Sequence, residues 1–284
     1  MPAIAELLQQ DQARLASALG LSVTDARFEA QLLLAQALQV NRAWLIAHGD
    51  EMPADAAFAH YRLLLERRLQ GEPMAYIFGE KEFYGISLKV TPDVLIPRPE
   101  TELLVELALA CIPADAPCRV LDLGTGSGAI AVSLATLRPQ AEIVAVDMSQ
   151  AALQVAQANA GRLQLSNICF ICSDWWQHVP AAPRFDVIVS NPPYIADGDS
   201  HLQQGDLRFE PITALAAGAC GMSDLQRIIS HAPDYLTATG TLLLEHGYDQ
   251  GKAVRELLIQ AGFGAVATHR DLAGVERVST GQRT

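Results

Sequence analysis

The chain has 284 residues, half of them hydrophobic and 18% charged, and carries a net charge of −12, so it can bury a large core as one domain or as a large domain with a small one. The acidity argues against tight nonspecific binding to nucleic acid, which needs Lys and Arg to neutralise phosphates, and is compatible with a basic protein partner. No apolar run reaches the roughly 18 residues of a membrane-spanning helix, and the opening MPAIAELLQQDQARL is acidic and amphipathic, without a basic-then-apolar signal pattern, so a soluble cytoplasmic protein is expected.

Residues 1 to about 70 read as helices. Apolar residues recur at three and four, as at Ile4, Leu7, Leu8, then Leu15 and Leu19. Ser22 or Thr24 can cap a second helix ending near Gln39, with an apolar face at Phe28, Leu32 and Leu33. Asn41 opens a third, and a fourth runs from Ala54 to Leu69, stopping at Gly71 with Pro73 beyond. In MAYIFGEKEFYGISLKVT aromatic and β-branched residues alternate with turn residues, as in a hairpin. Pro97 and Pro99 then stiffen the backbone, and Pro99 can begin a helix through Ala110.

From Cys118 the chain alternates. Strand-like runs are CRVLDLG, AEIVAVD, NICFICSD, FDVIVSN and GTLLLEHG, with helix-like runs between them. Nearly continuous apolar strands separated by helices imply a parallel sheet covered on both faces. GAVATHRD and ERVSTGQ close the chain as an expected antiparallel hairpin at the sheet's end, bringing the strands to seven. The expectation is α/β: a small helical bundle over 1–73, a β-hairpin linker over 74–92, and a Rossmann-like domain with a mostly parallel seven-stranded sheet over 93–284.

The five cysteines are an odd count without a framework spacing. Cys169 and Cys172 form a C-x-x-C inside a strand-like run, where residues three apart point to opposite faces. That argues against a shared metal and for buried free thiols. The histidines, His201 and His246 among them, show no metal spacing, so no metal is expected.

VLDLGTGSGAIA follows the first strand of the alternating region and opens a helix. Its glycines, Gly124, Gly126 and Gly128, let the loop turn sharply and let a ligand approach the backbone. The spacing differs from the dinucleotide fingerprint, and no triphosphate loop is present. Asp147 ends the next strand, 19 residues after Gly128. A carboxylate there can accept from both ribose hydroxyls of an adenosine, or it can cap the helix starting near Ser149. Asp174 ends the third strand, where it could take the exocyclic amine of adenine, and Trp175 could pack on the adenine face. Asp122 can orient the loop and a ligand amino group, or only hold the turn. Glycine loop, acid, acid at successive strand ends resembles the class I S-adenosylmethionine-dependent methyltransferases. The resemblance implies S-adenosyl-L-methionine as cofactor and S-adenosyl-L-homocysteine as product.

FDVIVSNPPYIAD places two prolines directly after a strand, with Asn191 before them and Tyr194 after. A planar amide or aromatic amine is a poor nucleophile because its lone pair is delocalised. Its two N–H groups can be held by the side-chain oxygen of Asn191 and a backbone carbonyl, that of Pro192, presented rigidly because proline fixes φ. Tyr194 can stack on the flat target group. Proximity and orientation would then supply most of the catalysis.

Such NPPY sites act on exocyclic base amines and on glutamine side chains. PRPETE (97–102), LGTGSG, NPPYI, RFEP (208–211) and LLLEHG (242–247) together closely resemble the peptide chain release factor glutamine methyltransferase family, over essentially the whole chain. The resemblance implies methylation of the glutamine in the Gly-Gly-Gln loop of class 1 release factors. It also implies a helical bundle that helps hold the release factor; apart from the resemblance, a monomer that requires no nucleic acid is expected. The resemblance places cofactor binding at Gly124, Thr125, Gly126, Ser127, Gly128, Asp147 and Trp175, to which the strand-end reading adds Asp174 and Asn191 as expected cofactor contacts. It places the substrate motif at Asn191, Pro192, Pro193 and Tyr194, with catalysis at Asn191, Pro192 and Tyr194. Arg98 could meet an acidic group of cofactor or substrate, or belong to a rigid connector. Residues 195–221 carry no strong element and are expected to form a lid or binding loop, with Arg208 and Glu210 bracing each other. The alternatives are a glutamine methyltransferase for a ribosomal protein, a nucleic-acid adenine N6-methyltransferase, which should show a basic cleft, and a release-factor-binding scaffold without catalysis.

Overall fold

A computed structural model describes residues 2–284. The chain divides into two compact units. One comprises the residues up to Gly79 together with Gln203–Phe209; the other comprises Glu80–Leu202 and Glu210–Thr284.

The first unit is helical: α1 (Ile4–Leu19), α2 (Val23–Leu38), α3 (Arg42–Ala47), α4 (Asp55–Leu69) and the short α5 (Met74–Phe78). Ser22 and Asn41 cap α2 and α3, their side-chain oxygens accepting from the Asp25 and Trp44 amides at 3.1 and 2.9 Å. Leu15, Leu33, Leu34, Leu45, Tyr61 and Leu65 form its core. The buried Tyr61 hydroxyl donates to Asp11 at 2.9 Å, and the Arg68 guanidinium clamps Glu29 at 2.8 and 3.0 Å. On α2 the inward face is Ala26, Ala30, Leu33, Leu34 and Ala37. Phe28, expected inward, is exposed, with the Arg42 guanidinium 4.4 Å above its ring. The small alanines, not the phenylalanine, let the neighbouring helices approach.

The expected hairpin is shorter than its sequence signal. Met74–Phe78 is one helical turn set between Pro73 and the left-handed Gly79, with Tyr76 and Ile77 buried. Burial of these aromatic and β-branched residues overrides their strand preference. The hairpin proper is β1 (Glu80–Phe83) with β2 (Ile86–Lys89).

The second unit continues with α6 (Glu102–Cys111), entered through a 3-10 turn at Pro99–Thr101. The alternation then runs β3 (Cys118–Leu123), α7 (Ala129–Leu137), β4 (Ala141–Asp147), α8 (Gln150–Arg162), β5 (Ile168–Cys172) and β6 (Phe185–Ser190). After a long connection come α9 (Ser223–Tyr235), β7 (Leu236–Glu245), α10 (Gly251–Gln260), β8 (Phe263–Arg270) and β9 (Glu276–Arg283). The seven strands form one sheet in the order β5-β4-β3-β6-β7-β9-β8; the first five are parallel, and β9 and β8 join antiparallel. This is the expected mostly parallel seven-stranded sheet.

Period-two alternation sends successive strand residues to opposite faces. Val120, Ile143, Val187 and Leu243 face Leu104 and Val105 of α6 and Ile130 and Leu134 of α7. Leu121, Val144, Ile188 and Leu242 face Ile228 of α9 and Val254 and Leu258 of α10. Each fully buried side chain of this size contributes about 1.5–3 kcal/mol, so both cores hold the strand register firmly.

β5 is the sheet edge, and Cys169 and Cys172 on it are exposed thiols. The buried thiols expected there are not found, because an edge strand lacks the second neighbour that would cover them. Cys118, on the inner β3, is buried.

The connection 195–221 is more ordered than its sequence implies. Ile195 pairs with Ala216 in an isolated parallel bridge, and 3-10 turns span Ser200–Gln203, Gly205–Phe209 and Ile212–Ala214. Arg208 and Glu210 do not brace each other. Arg208 donates to the Gln70 carbonyl at 3.3 Å, within the helical unit, while Glu210 pairs with Arg98. Arg208 belongs to the 3-10 turn Gly205–Phe209 and Glu210 follows it, and each side chain has its own partner.

Candidate active site

The carboxyl ends of five parallel strands share one edge, and the register brings five residues level. Asp147 pairs with Cys172, Leu123 with both Val146 and Ser190, and Ser190 with Leu244. One residue further along each strand, the row reads Cys172, Asp147, Gly124, Asn191, Glu245. The glycine loop and NPPY thus leave adjacent strands, β3 and β6, at the point where the strand order reverses. Such switch points are where open α/β sheets bind ligands. The Ser190 hydroxyl ties the two strand ends together, donating to the Leu123 carbonyl at 2.7 Å.

Gly124, Gly126 and Gly128 all adopt positive φ (76°, 55° and 82°). The amides of Gly124 and Thr125 both donate to the Val146 carbonyl at 2.8 Å, folding the loop over β4. Asp147 accepts from the Gly126 amide at 2.8 Å and from the Ser149 amide at 2.9 Å. Ser149 itself caps α8, so Asp147 is not that cap. Each of its oxygens keeps a further lone pair for a ligand hydroxyl. Burial raises the Asp147 pKa, opposed by the hydrogen bonds from the Ser149 and Gly126 amides.

A cavity of about 520 Å³ opens over this edge. Of the residues expected to bind cofactor, Gly124, Gly126, Asp147, Asp174, Trp175 and Asn191 line it. Thr125, Ser127 and Gly128 stand behind it. The Thr125 hydroxyl donates to Asp122 at 2.7 Å, and the Ser127 carbonyl accepts from Asn159 at 2.8 Å. Gly128 sits where an added Cβ would lie 3.1 Å from Ala156 and Val132. Asp122 is fully buried; burial pushes its carboxyl up to about 7, and one of its oxygens has no partner among the described residues.

Asp174, expected to meet an adenine amine, is engaged by both terminal nitrogens of Arg227, at 2.8 and 2.9 Å. The Trp175 ring lies against Gly124, and its indole N–H donates to Asp224 at 3.0 Å. Trp176 faces away, stacked on Tyr235.

The cavity wall carries Asp93, Asp147, Asp174 and Asp224 against the single guanidinium of Arg227. That lining, four carboxylates against one guanidinium, complements a ligand with net positive charge better than a phosphate. S-adenosylmethionine, whose sulfonium and ammonium outweigh its one carboxylate and whose adenosine brings hydroxyls and an amine, fits this set of acceptors, and the bare Gly126 edge leaves open space within 4 Å for close approach.

On the other side of the row, Asn191 and Pro193 line the cavity, Pro192 is buried, and Tyr194 turns inward. The Asn191 amide nitrogen donates to the Thr101 hydroxyl at 3.1 Å. Its side-chain oxygen makes no hydrogen bond among the described residues. The Tyr194 hydroxyl lies 3.5 Å from Glu245, a long contact, and burial raises its pKa. Glu245 is also buried, and burial pushes it up to about 7.

Two residues without an assigned role in the sequence therefore stand beside the site: Thr101 of PRPETE and Glu245 of LLLEHG. Glu210, its side chain fully buried, holds Arg98 and accepts from the Ile96 amide at 3.0 Å. Arg98 thus serves the connector. The motifs themselves were the signal; which residue of each turns inward was not readable.

A methyltransferase domain family matches residues 114–265, and a PrmC N-terminal domain family matches residues 6–79. A release factor glutamine methyltransferase of Bordetella pertussis is 54% identical over 255 residues, 90% of this chain and 94% of its own. One of Escherichia coli K12 is 48% identical over 256 residues, covering 90% and 92%. Among solved structures, a methyltransferase from Pyrococcus furiosus aligns with TM-score 0.53 at 18% identity, over 77% of this chain and 96% of its own. A Thermus thermophilus 16S rRNA N2 G1207 methyltransferase in complex with AdoMet and guanosine aligns with TM-score 0.54 at 23% identity, over 72% and 50%. These two establish a shared fold.

Proposed function

The chain belongs to the release factor glutamine methyltransferase family, and from that premise we propose that it methylates the side-chain nitrogen of the glutamine in the Gly-Gly-Gln motif of class 1 peptide chain release factors. One observation carries the reading. Asn191 stands at the strand end beside the acidic cavity with its amide nitrogen turned to Thr101, which leaves its oxygen for a substrate N–H.

Bound at the glycine loop, S-adenosylmethionine supplies an electrophilic methyl group on a sulfonium. Gly124, Gly126 and Asp147 hold the adenosine side of the cavity, and Trp175 walls it. The Asn191 oxygen and the Pro192 carbonyl accept the two N–H groups of the glutamine amide. Holding both N–H groups turns the nitrogen toward the cavity and favours positive charge building on it. Tyr194 keeps the amide flat from behind. No strong base is required, because an alkylated amide nitrogen is acidic and sheds its proton to these acceptors and water. The helical unit is assigned the recognition of the release factor, and the enzyme works as a cytoplasmic monomer without nucleic acid. The net charge of −12 supports a protein rather than a nucleic-acid substrate.

The test is a transfer assay with methyl-labelled S-adenosylmethionine, offering release factor, its loop Gln-to-Ala variant, a ribosomal protein fraction and unmethylated DNA in parallel. Label on the loop glutamine alone is expected. Label on a ribosomal protein or on adenine would overturn the substrate while keeping the chemistry.

A further inference from the structure

We propose that Gln250 is a positioning residue for methyl transfer: its side-chain amide pins the Tyr194 peptide and so fixes where the Tyr194 ring stands against the substrate amide. The inference deepens the reading above and rests on it for the role of Tyr194. Gln250 lies outside every motif named so far.

The NPPY backbone has few means of holding itself. Asn191 continues directly from β6, which ends at Ser190. Pro192 and Pro193 follow with no N–H to donate, so the far end of the motif must be fixed from outside. The Tyr194 hydroxyl does not fix it: its 3.5 Å contact with Glu245 exceeds the usual reach of an O–H···O bond, about 2.5–3.0 Å. Gln250 does. Its amide nitrogen donates to the Tyr194 carbonyl at 3.0 Å and to the Gly221 carbonyl at 3.2 Å. Its amide oxygen accepts from the Gly247 amide at 2.8 Å. Carbonyls only accept and a backbone N–H only donates, so all three partners require the same sense of the glutamine amide.

The surrounding chain makes this tie a bracket rather than a chance contact. Gln250 is anchored at the start of α10, where its own backbone amide donates to the Gly247 carbonyl at 3.0 Å. Main chain and side chain thus both bind it to the residues that follow β7. On the opposite side, the buried Gly221 adopts φ 64°, and an added Cβ there would overlap the Tyr194 carbonyl oxygen. Beyond the ring, the Ile195 amide donates to the Leu215 carbonyl, the Ala217 amide to the Ile195 carbonyl and the Asp197 amide to the Gly218 carbonyl, each at 2.9 Å. That ladder begins one residue past Tyr194, and Gln250 carries the bracing back to the Tyr194 peptide itself. The glutamine is half-buried, so water could satisfy the same carbonyls. Water would not tie them to the end of β7.

The experiment compares wild type, Q250M and Q250E in steady-state kinetics with labelled S-adenosylmethionine and whichever substrate the wild type labels. Binding of S-adenosylhomocysteine by calorimetry and thermal melts run alongside. Q250M keeps the length of the side chain and removes its hydrogen bonds. Q250E keeps the acceptor toward the Gly247 amide and turns a second acceptor on the two carbonyls. Q250M should lower kcat by about tenfold or more and Q250E by about thirtyfold. KM for the protein substrate and product affinity should stay within about threefold, because Gln250 touches neither ligand. On a Y194A background Q250M should cost less than about threefold, since no ring is left to place. A Q250M kcat within about threefold of wild type, in protein that melts normally and binds product, would overturn the proposal. So would an undiminished cost of Q250M on the Y194A background, or a loss of product affinity equal to the loss of kcat. If Q250M does not fold, Q250E decides by the same criteria. A wild type that labels ribosomal protein sinks the substrate assignment alone, since the comparison among variants uses whatever the wild type labels.

Discussion

Replacing Asp122 by asparagine should change how stability depends on pH more than it changes stability at any one pH. Asp122 is fully buried behind the glycine loop, with the Thr125 hydroxyl on one oxygen and no hydrogen-bond partner on the other among the described residues. Its ordinary value is 3.8; burial raises it to about 7, against the pull of the Thr125 hydrogen bond. In the interval between, the unfolded chain has released this proton and the folded protein still holds it. The folded state binds more protons there, so stability falls as pH rises. The contribution is intact below 3.8 and gone once pH has passed through about 7. One unit is worth about 1.36 kcal/mol, so the whole interval amounts to on the order of 4 kcal/mol. The part between about pH 5 and about pH 8 is on the order of 3 kcal/mol. Asparagine cannot ionise and removes this slope. Its NH₂, set where the unpartnered oxygen was, costs about 1–3 kcal/mol at every pH and cancels in a difference between two pH values. The assay is urea denaturation of ligand-free protein at both pH values, followed by Trp175 and Trp176 fluorescence. The variant should gain about 3 kcal/mol on wild type from the lower pH to the higher. Parallel profiles, agreeing within about 0.5 kcal/mol, would refute the claim that Asp122 is held protonated by burial.

Asn191→Ala should lower turnover by about a hundredfold while cofactor affinity shifts by no more than a few-fold, because the orienting acceptor acts mainly in the transition state; equal losses in kinetics and calorimetry would count against that role. Gly128→Ala and Gly126→Ala should separate stability from binding. At Gly128 the positive φ and the 3.1 Å approach to Ala156 and Val132 should together cost about 2–4 kcal/mol. At Gly126, where nothing lies within 4 Å of an added Cβ, the melt should fall less and product binding should weaken instead, and the same ranking in both measurements would contradict the placement of the cavity.

The parts of the fold that were legible are those written in local periodicity. Val120 and Leu121 belong to opposite cores, and the alternation of apolar runs with helical stretches announced a parallel sheet covered on both faces. The glycine loop was legible because three positive-φ glycines in five residues leave few other readings. What escaped was set by neighbours distant in sequence. Met74–Phe78 carries strand-like residues and folds as a helix because Tyr76 and Ile77 are buried. Cys169 and Cys172 are exposed because β5 is an edge, a fact of strand order rather than of composition. Thr101 lies 90 positions from Asn191, and Tyr194 lies 51 from Glu245, so no window of sequence shows that they meet. Their motifs could be picked out, but a motif does not say which of its side chains turns inward.

The row at the strand ends explains why these dispersed residues converge and why the site depends on the cores beneath it. Asp147, Gly124, Asn191 and Glu245 stand side by side only because β4, β3, β6 and β7 are in the register observed. A slip of one residue in β6 would send Val187 and Ile188 to each other's faces, so the apolar packing on both sides of the sheet resists it. The same slip would carry Asn191 past Thr101 and remove the contact that orients its amide. Precision at the substrate nitrogen is therefore supplied by the buried valines, isoleucines and leucines of the strands. The polar residues at their ends only choose the direction of each hydrogen bond. A reaction that needs acceptors held in place, and no strong base, is suited to such a site: rigidity comes from the sheet, and chemistry comes from a few carbonyl oxygens presented at its edge.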